Sequence, residues 1–341
     1  MSGGAQDWRP SAARERLRGR AALLQRAREF FAARSVLEVD TPLVVNAPVS
    51  DVHIHSATVR LAGEPGAVEQ AAAMPLFLHT SPEYSMKRLL AAGSGDIYQI
   101  CHVVRGFERG RLHNAEFTLI EWYRIGFSLG QLMDEVEALV RSLLGAVAPA
   151  ASERVSYREA FQRELALDPL TASLSELAQA AQPLGLTGGG AATARGAAIT
   201  AMSRDDWLEL LMGAIVGPRL GRATLTFVNG YPATQAALAR LDPADERVAQ
   251  RFELYLRGVE LANGFHELSS AAEQRARFGE DNARRQQLGL PVYPLDERLL
   301  AALAAGLPDC AGVALGFDRV AMLALGAAHI EEVLPFPTPR A

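Results

Sequence analysis

Apolar residues recur at helical spacing in several parts of the chain, and elsewhere they form short runs bounded by proline or glycine. The helical pattern predicts helices at residues 12–34, 83–92 and 129–144. The short runs predict strands at residues 36–39, 52–60, 76–80, 97–104, 117–123, 225–228 and 251–268. Residues 312–325 read as a glycine-rich turn that enters a final helix.

The order of these elements bears on the fold class. Strands gather at both ends of the chain around residues 146–221, a segment whose composition is that of an inserted, largely helical module. This order lacks the regular alternation of a doubly wound fold. We therefore expect an α/β protein of the α+β type, in which an antiparallel sheet is flanked by helices.

Composition narrows the class of protein. The 341 residues are 49% hydrophobic and 21% charged, enough to bury a substantial core. No apolar run is long enough to span a bilayer, and Cys101 and Cys310 are too few for a disulfide framework. We expect a cytoplasmic protein with no membrane association. The net charge of -5 argues against a dedicated RNA-binding surface and leaves a basic protein partner possible.

Arg105 and Phe117 stand at opposite ends of a polar loop between two predicted strands. If the strands pair, both side chains face one cleft, where an arginine can bind a phosphate and an aromatic ring can stack on a base. A surface hairpin with incidental charge is the alternative from these residues alone.

Three glutamates, Glu253, Glu260 and Glu267, recur seven residues apart in the run 251–268. Seven is odd, so on one unbroken strand successive glutamates face opposite sides of the sheet. Turns or bulges at Gly258 and at the Asn263–Gly264 pair would restore a common face. Such carboxylates suit Mg²⁺ or a substrate ammonium, and a half-exposed acidic strand is the plain alternative.

Together these segments resemble the class II aminoacyl-tRNA synthetases. That family has a helix and strand ending in proline, an arginine-bearing strand-loop-strand and a terminal glycine-rich motif with arginine. Residues 12–42, 104–123 and 312–325 match them in order and spacing. Within the family, the resemblance is to lysyl-tRNA synthetases, through residues 80–83, 113–118, 121–123, 230–233 and 261–268, and it covers most of the chain.

The resemblance implies a set of ATP-binding residues. Arg105 corresponds to the arginine on the α-phosphate, Phe117 to the aromatic residue that packs on adenine, and Arg319 to the arginine that reaches the γ-phosphate. Glu253 and Glu260 correspond to the carboxylates that bind Mg²⁺. The remaining implied ATP contacts are Glu108, His113, Asn114, Leu261 and Gly316. The family's loop glutamate corresponds to position 107, which is Phe107 in this chain. Glu108 is the next residue.

The resemblance also implies a lysine-type pocket. Glu83 would receive the amino group beside the reacting carboxylate, while Glu121, Tyr123 and Glu267 would surround the terminal ammonium. Ser81 and Pro82 belong to the same pocket. Ala314 stands where the synthetases have glycine, and its methyl group changes the pocket's shape.

The domain organisation of the chain differs from that of the lysyl-tRNA synthetases. The class II helix begins within the first twenty residues, and no N-terminal anticodon-binding domain of the OB type is expected. A single catalytic domain over residues 1–341 of this kind resembles the elongation factor P lysine ligases, truncated paralogues of lysyl-tRNA synthetase. The resemblance implies ATP and Mg²⁺ as cofactors, lysine or β-lysine as substrate, elongation factor P as acceptor, and a homodimer.

Two other functions stay open at this point. One is the charging of tRNA or a tRNA-like acceptor, although we expect no stable tRNA binding. The other is a non-catalytic regulator that binds an amino acid, which predicts damage at Arg105, Arg319 or the glutamates. All of these residues are intact.

Overall fold

The computed structural model describes residues 8–60, 75–107, 109–185 and 202–341. Its helices in these ranges are α1 Arg14–Ala32, α2 Glu83–Ala91, α3 Leu129–Leu144, α4 Tyr157–Leu165, α5 Leu174–Ala180, α6 Arg204–Leu211, α7 Ala271–Gln287, α8 Glu297–Gly306 and α9 Phe317–Ala324. Its strands are β1 Leu37–Glu38, β2 Val44–Val45, β3 Thr58–Val59, β4 Leu76–Leu78, β5 Ile97–Val104, β6 Glu116–Ile125, β7 Ala151–Ser156, β8 Thr224–Pro232, β9 Leu241–Asp242, β10 Asp245–Leu256, β11 Val259–His266 and β12 Cys310–Gly316.

The chain divides into two compact units. The first comprises the described residues up to 127 together with 134–148 and 269–341, and the second comprises 128–133 and the described residues of 149–268. The predicted single domain and the predicted helical insertion at 146–221 stay predictions. Part of that insertion, residues 186–201, lies outside the described residues.

The sheet of the first unit runs β1, β5, β6 and β12. β6 pairs antiparallel with both β5 and β12, and β1 is parallel to β5. The strands β2, β4 and β3 form a separate small antiparallel sheet.

The core of this unit forms where α1 packs on the sheet. Its apolar stripe, which includes Ala27 and Phe31, is buried. Phe31 stacks on Tyr98 of β5 with ring centroids 4.2 Å apart and meets the edge of Trp122 of β6. Trp122 is fully buried, and its indole N–H donates to Glu135 at 3.0 Å, which satisfies its polar atom.

The sheet of the second unit runs β11, β10, β8 and β7, with β9 beside β10. Only the β7–β8 pair is parallel in this set of strands. Helices α4 and α6 pack an aromatic and aliphatic cluster on the sheet, in which Tyr157 stacks on Phe161 at 4.5 Å and contacts Tyr231.

A two-residue turn joins β10 to β11, because Leu256 pairs with Val259. Arg257 and Gly258 both have positive φ, 53° and 72°, as a type I′ hairpin turn requires. A side chain at Gly258 would also meet the Pro218 carbonyl oxygen at 2.5 Å, so this position needs glycine for two reasons.

Two local predictions were wrong. The expected strand at 52–60 is reduced to Thr58–Val59, because residues before it form turns in which Arg285 donates to the carbonyls of Asp51 and Ile54. The expected turn at the start of 312–325 is the strand β12, whose glycines pair in register with β6.

Candidate active site

Three neighbouring strands of the first unit place one row of side chains across the sheet. Glu121 of β6 lies opposite Gln99 of β5 on one side and Ala314 of β12 on the other. Tyr123, two residues along β6, shares this face because side chains alternate along a strand. The register therefore brings Glu121, Tyr123 and Ala314 together, as the resemblance implied.

Glu121 is a buried carboxylate, 2% exposed, and hydroxyl groups hold it in place. Ser81 donates to its Oε2 and Tyr123 donates to its Oε1, both at 2.8 Å. Hydroxyl donors orient the carboxylate without neutralising its charge. This arrangement suits the binding of an ammonium ion, which needs a charged acceptor when it is buried.

The same face carries Cys101, two residues from Gln99 on β5. Burial raises the pKa of this thiol well above its usual range, and the charge of Glu121 raises it further. Cys101 therefore stays protonated at neutral pH, which argues against its use as a nucleophile.

Helix α2 begins beside this row. Pro82 occupies its N-cap, and the Ser81 hydroxyl accepts a hydrogen bond from the Glu83 N–H at 3.1 Å. Glu83 is buried, and its Oε1 lies 2.7 Å from Nζ of Lys87, one helical turn later. The Ser81 hydroxyl thus links the backbone of Glu83 to the carboxylate of Glu121.

Arg105 follows β5 and lies over the ring of Phe117, with its guanidinium carbon 5.2 Å from the ring centroid. Its side-chain Nε donates to the Thr80 carbonyl at 3.2 Å, and its backbone N–H donates to the Ala115 carbonyl at 2.8 Å. The predicted antiparallel pairing of the two strands is confirmed, and it brings the arginine and the aromatic ring together.

Arg319 lies in the first turn of α9, whose N-cap is Gly316 at the end of β12. Its guanidinium lies 2.7 Å from Nε2 of His113 and contacts the Leu112 carbonyl. A helix N-terminus and an arginine both favour an anion, so this corner suits a phosphate group.

The loop between β5 and β6 is anchored through Asn114. Its amide nitrogen donates to the Glu116 carbonyl at 2.6 Å, and its amide oxygen accepts from the N–H of Thr338 at 3.0 Å. The side chain of Asn114 therefore shapes the loop. Phe107 is 91% exposed in this loop, and Glu108 lies outside the described residues.

In the second unit, the hairpin β10–β11 brings the glutamates onto one face. Tyr255 pairs with Glu260 while Leu254 pairs with Ala262, so Leu261 is one extra residue on β11. This bulge restores the common face that seven-residue spacing would otherwise break. Asn263 and Gly264, where a bulge was also considered, pair regularly with Glu253 and Phe252.

Alternation then places Glu253, Glu260 and Glu267 on the same face of the hairpin. Cross-strand partners share a face, and Glu253 is two residues from Tyr255 on β10. Glu267 follows β11, is buried and pairs with Ala239 through an isolated bridge.

Glu253 is held by two side chains of its own strand. Arg251 donates to Oε1 and Tyr255 donates to Oε2, both at 2.6 Å. Burial raises the pKa of Tyr255 well above its usual range, and the charge of Glu253 raises it further, so the phenol remains a donor. Burial lowers the pKa of Arg251, but nearby Glu253, Tyr231 and Glu260 outweigh this effect and raise it.

The carboxylates on this hairpin fit a magnesium ion that is shared with a nucleotide. Each oxygen of Glu253 accepts one of these hydrogen bonds and has a second lone pair. No group of three or more His, Cys, Asp or Glu residues with metal-ligand geometry occurs in the described ranges. Mg²⁺ commonly takes only one or two carboxylates and completes its shell with phosphates and water.

Sequence reasoning missed Lys87 and Arg251, two cations that contact candidate site carboxylates. Both left a signal in the sequence. Glu83 and Lys87 are four residues apart, which places them side by side on a helix. Arg251, Glu253 and Tyr255 are two residues apart, which places them on one face of a strand.

Comparison with known proteins agrees with this geometry. The family model for class II tRNA synthetases (D, K and N) matches residues 4–340. The chain belongs to this family.

Curated relatives match this class II chain over nearly all of its length. A Vibrio cholerae protein named elongation factor P--(R)-beta-lysine ligase is 51% identical over 335 residues, which are 98% of this chain and 99% of the relative. Proteins with the same name from Vibrio atlanticus and Klebsiella pneumoniae are each 49% identical, over 98% of this chain and 98% of the relative. The fold class expected from the sequence is thereby confirmed, as is ATP-dependent ligase chemistry.

None of the helices in the described ranges combines the length and the apolar character that crossing a bilayer requires.

Proposed function

We propose that this chain activates β-lysine, or lysine, with ATP and transfers it to a lysine side chain of elongation factor P. The observation that carries this proposal is the buried carboxylate of Glu121, held by Ser81 and Tyr123 beside the Arg105–Phe117 pair. The name shared by the curated relatives supports the same acceptor.

In the first step the amino-acid carboxylate attacks the α-phosphorus of ATP and pyrophosphate leaves. Arg105 binds the α-phosphate, Phe117 packs on adenine, and Arg319 with His113 binds the distal phosphates. No general base is needed, because the attacking carboxylate is already ionised. Positioning and the neutralisation of developing phosphate charge supply the catalysis.

The amino acid is recognised through its two amino groups. Glu121, oriented by Tyr123 and Ser81, binds the terminal ammonium. By resemblance to the family, Glu267 is a further carboxylate for this substrate. Glu83 accepts a hydrogen bond from the amino group beside the reacting carboxylate. The methyl group of Ala314 limits the space next to Glu121 and thereby affects which isomer fits.

Glu253 and Glu260 would hold Mg²⁺, and by resemblance to the family Leu261 and Gly316 would each contact ATP. Bound there, the ion would neutralise phosphate charge. Arg251 and Tyr255 fix the position of Glu253.

In the second step, the neutral amine of the acceptor lysine attacks the carbonyl carbon of the aminoacyl adenylate. An amide bond forms, the C–O bond to AMP breaks, and the amine loses a proton. We propose a homodimer that forms no stable tRNA complex, consistent with the acidic net charge of -5.

The test is the transfer of radiolabelled β-lysine or lysine, with ATP and Mg²⁺, to elongation factor P and to lysine tRNA in parallel. We expect label on the protein, a loss of about 10³-fold in Arg105→Ala, and normal transfer by Arg247→Ala, a control whose side chain is 64% exposed. Label on tRNA alone would refute the proposed acceptor. No label and no pyrophosphate release from the wild type would instead indicate a non-catalytic binder.

A further inference from the structure

Lys87 is a buried lysine in the middle of α2. It is 1% exposed, and lysine is seldom buried to this degree without a partner. Its Nζ lies 2.7 Å from Oε1 of Glu83, four residues earlier on the same helix. A glutamate that precedes a lysine by one turn is the favourable order for such a pair.

Stability alone is a weak explanation for this pair. Removing two charges from water costs about as much as their attraction returns, and an apolar pair of similar volume is often as stable or more so. The pair is better explained by its effect on Glu83, whose carboxylate it holds in one position.

The contacts of Glu83 extend to the neighbouring carboxylate. The backbone N–H of Glu83 donates to the Ser81 hydroxyl, which in turn donates to the carboxylate of Glu121. Lys87, Glu83, Ser81, Glu121 and Tyr123 therefore form one connected network. Within it, the ammonium group of Lys87 contacts the carboxylate of Glu83.

The contact with Lys87 affects what the carboxylate of Glu83 can recognise. An acceptor whose charge is balanced by Lys87 gains little from a full positive charge on its ligand, but it still requires a hydrogen-bond donor at a fixed place. Glu83 then recognises where an amino group lies. Lysine and β-lysine carry the same charges and differ in where one amino group is attached.

We propose that Lys87 is a positioning residue that determines specificity, because it fixes Glu83 so that the site distinguishes amino groups attached at different carbons. The inference rests on the proposed function, since it concerns the amino-acid pocket of the same enzyme. Lys87 itself acts through Glu83 and needs no contact with substrate.

The experiment measures ATP–pyrophosphate exchange by the full chain with lysine and with β-lysine, for wild type, Lys87→Met and Lys87→Arg. We expect Lys87→Met to raise KM for the preferred amino acid about tenfold, as loss of a charged hydrogen bond would, while KM for ATP changes less than about twofold. The ratio of kcat/KM for the two isomers should move toward one. Lys87→Arg keeps the charge and should restore most of the discrimination.

The matched control is Arg141→Met. Arg141 pairs with Glu137 across one turn of α3 at 2.8 Å, and it belongs to the same unit. We expect it to leave both KM values and the isomer ratio unchanged. Lys87→Gln, which keeps a hydrogen-bond donor, covers the case in which Lys87→Met does not fold, and the same separation of KM values is expected from it.

An unchanged isomer ratio in a folded Lys87 variant would overturn the inference, as would equal increases in KM for ATP and amino acid. Both results would indicate a purely structural ion pair. A wild type that exchanges pyrophosphate with neither amino acid would overturn the proposed function itself, and this inference with it.

Discussion

Each unit holds a buried glutamate that accepts a hydrogen bond from a tyrosine, but a further donor to it is a serine in the first unit and an arginine in the second. In the first unit Glu121 accepts from the hydroxyls of Tyr123 and Ser81. In the second unit Glu253 accepts from the hydroxyl of Tyr255 and from the guanidinium of Arg251. A hydroxyl orients a carboxylate and leaves its charge, whereas a guanidinium also balances that charge.

The difference indicates two uses for the same residue type. Glu121 suits a monovalent ammonium ligand, for which a full negative charge is the main attraction. Glu253 is held beside its own cation, Arg251, and under the proposed function its ligand is a divalent ion that is shared with phosphates. The three predictions below would separate these uses, and the first and third compare matched positions in the two units.

Neutralising the two carboxylates should give the largest effect. Glu121→Gln keeps the shape but removes the charge, so we expect KM for the amino acid to rise about 10³-fold with little change for ATP. Glu253→Gln should instead raise the concentrations of ATP and Mg²⁺ needed for pyrophosphate exchange. If both variants affected the same substrate, the proposed division of tasks would be wrong.

Removal of the positive charge of Arg251 should have the second-largest effect. Arg251→Met leaves Glu253 buried beside apolar and phenolic groups, so we expect the free energy of unfolding to fall by about 3 kcal/mol. Denaturant titration followed by circular dichroism measures it. Arg251→Met/Glu253→Leu removes both charges and should recover most of the loss. A double variant no more stable than Arg251→Met would contradict the charge argument.

Removal of the tyrosine hydroxyls should give the smallest effects. Tyr123→Phe deletes one donor to Glu121, and about 1 kcal/mol of lost hydrogen bonding corresponds to a KM for the amino acid that rises about fivefold. Tyr255→Phe is the matched change in the other unit, and it should alter Mg²⁺ dependence by a similar factor. Steady-state exchange assays on both variants test this, and identical profiles would argue against two separate roles.

Much of the first unit could be predicted from the sequence. The strands around Arg105 and Phe117 and the helix α3 follow apolar patterns that their own burial maintains, so local signals suffice. The strand Thr58–Val59 was predicted too long, as residues 52–60. The residues before it are held by hydrogen bonds from Arg285, which is more than two hundred residues away in the chain. Such long-range contacts do not show in the apolar pattern of the sequence.

The candidate site shows the same limit. The residues that resemble the family's ligand contacts could be named, but the partners of their carboxylates could not. Whether Glu253 meets Arg251 or another group depends on rotamers, and rotamers depend on packing from strands distant in the chain. The bulge at Leu261 is similar, because its position follows from pairing with β10 and not from glycine in its own strand.

Because of that bulge, the face on which a side chain of this segment lies depends on its pairing position in the sheet and not on its residue number alone. Seven residues separate Glu260 from Glu267, yet the extra Leu261 reduces them to six steps across the sheet. A related chain that lacks the extra residue would present the same two carboxylates at a spacing of six. An insertion of one residue elsewhere between them would turn one glutamate to the opposite side. Alignments of this segment therefore need to allow a one-residue gap at Leu261 and nowhere else between the two glutamates.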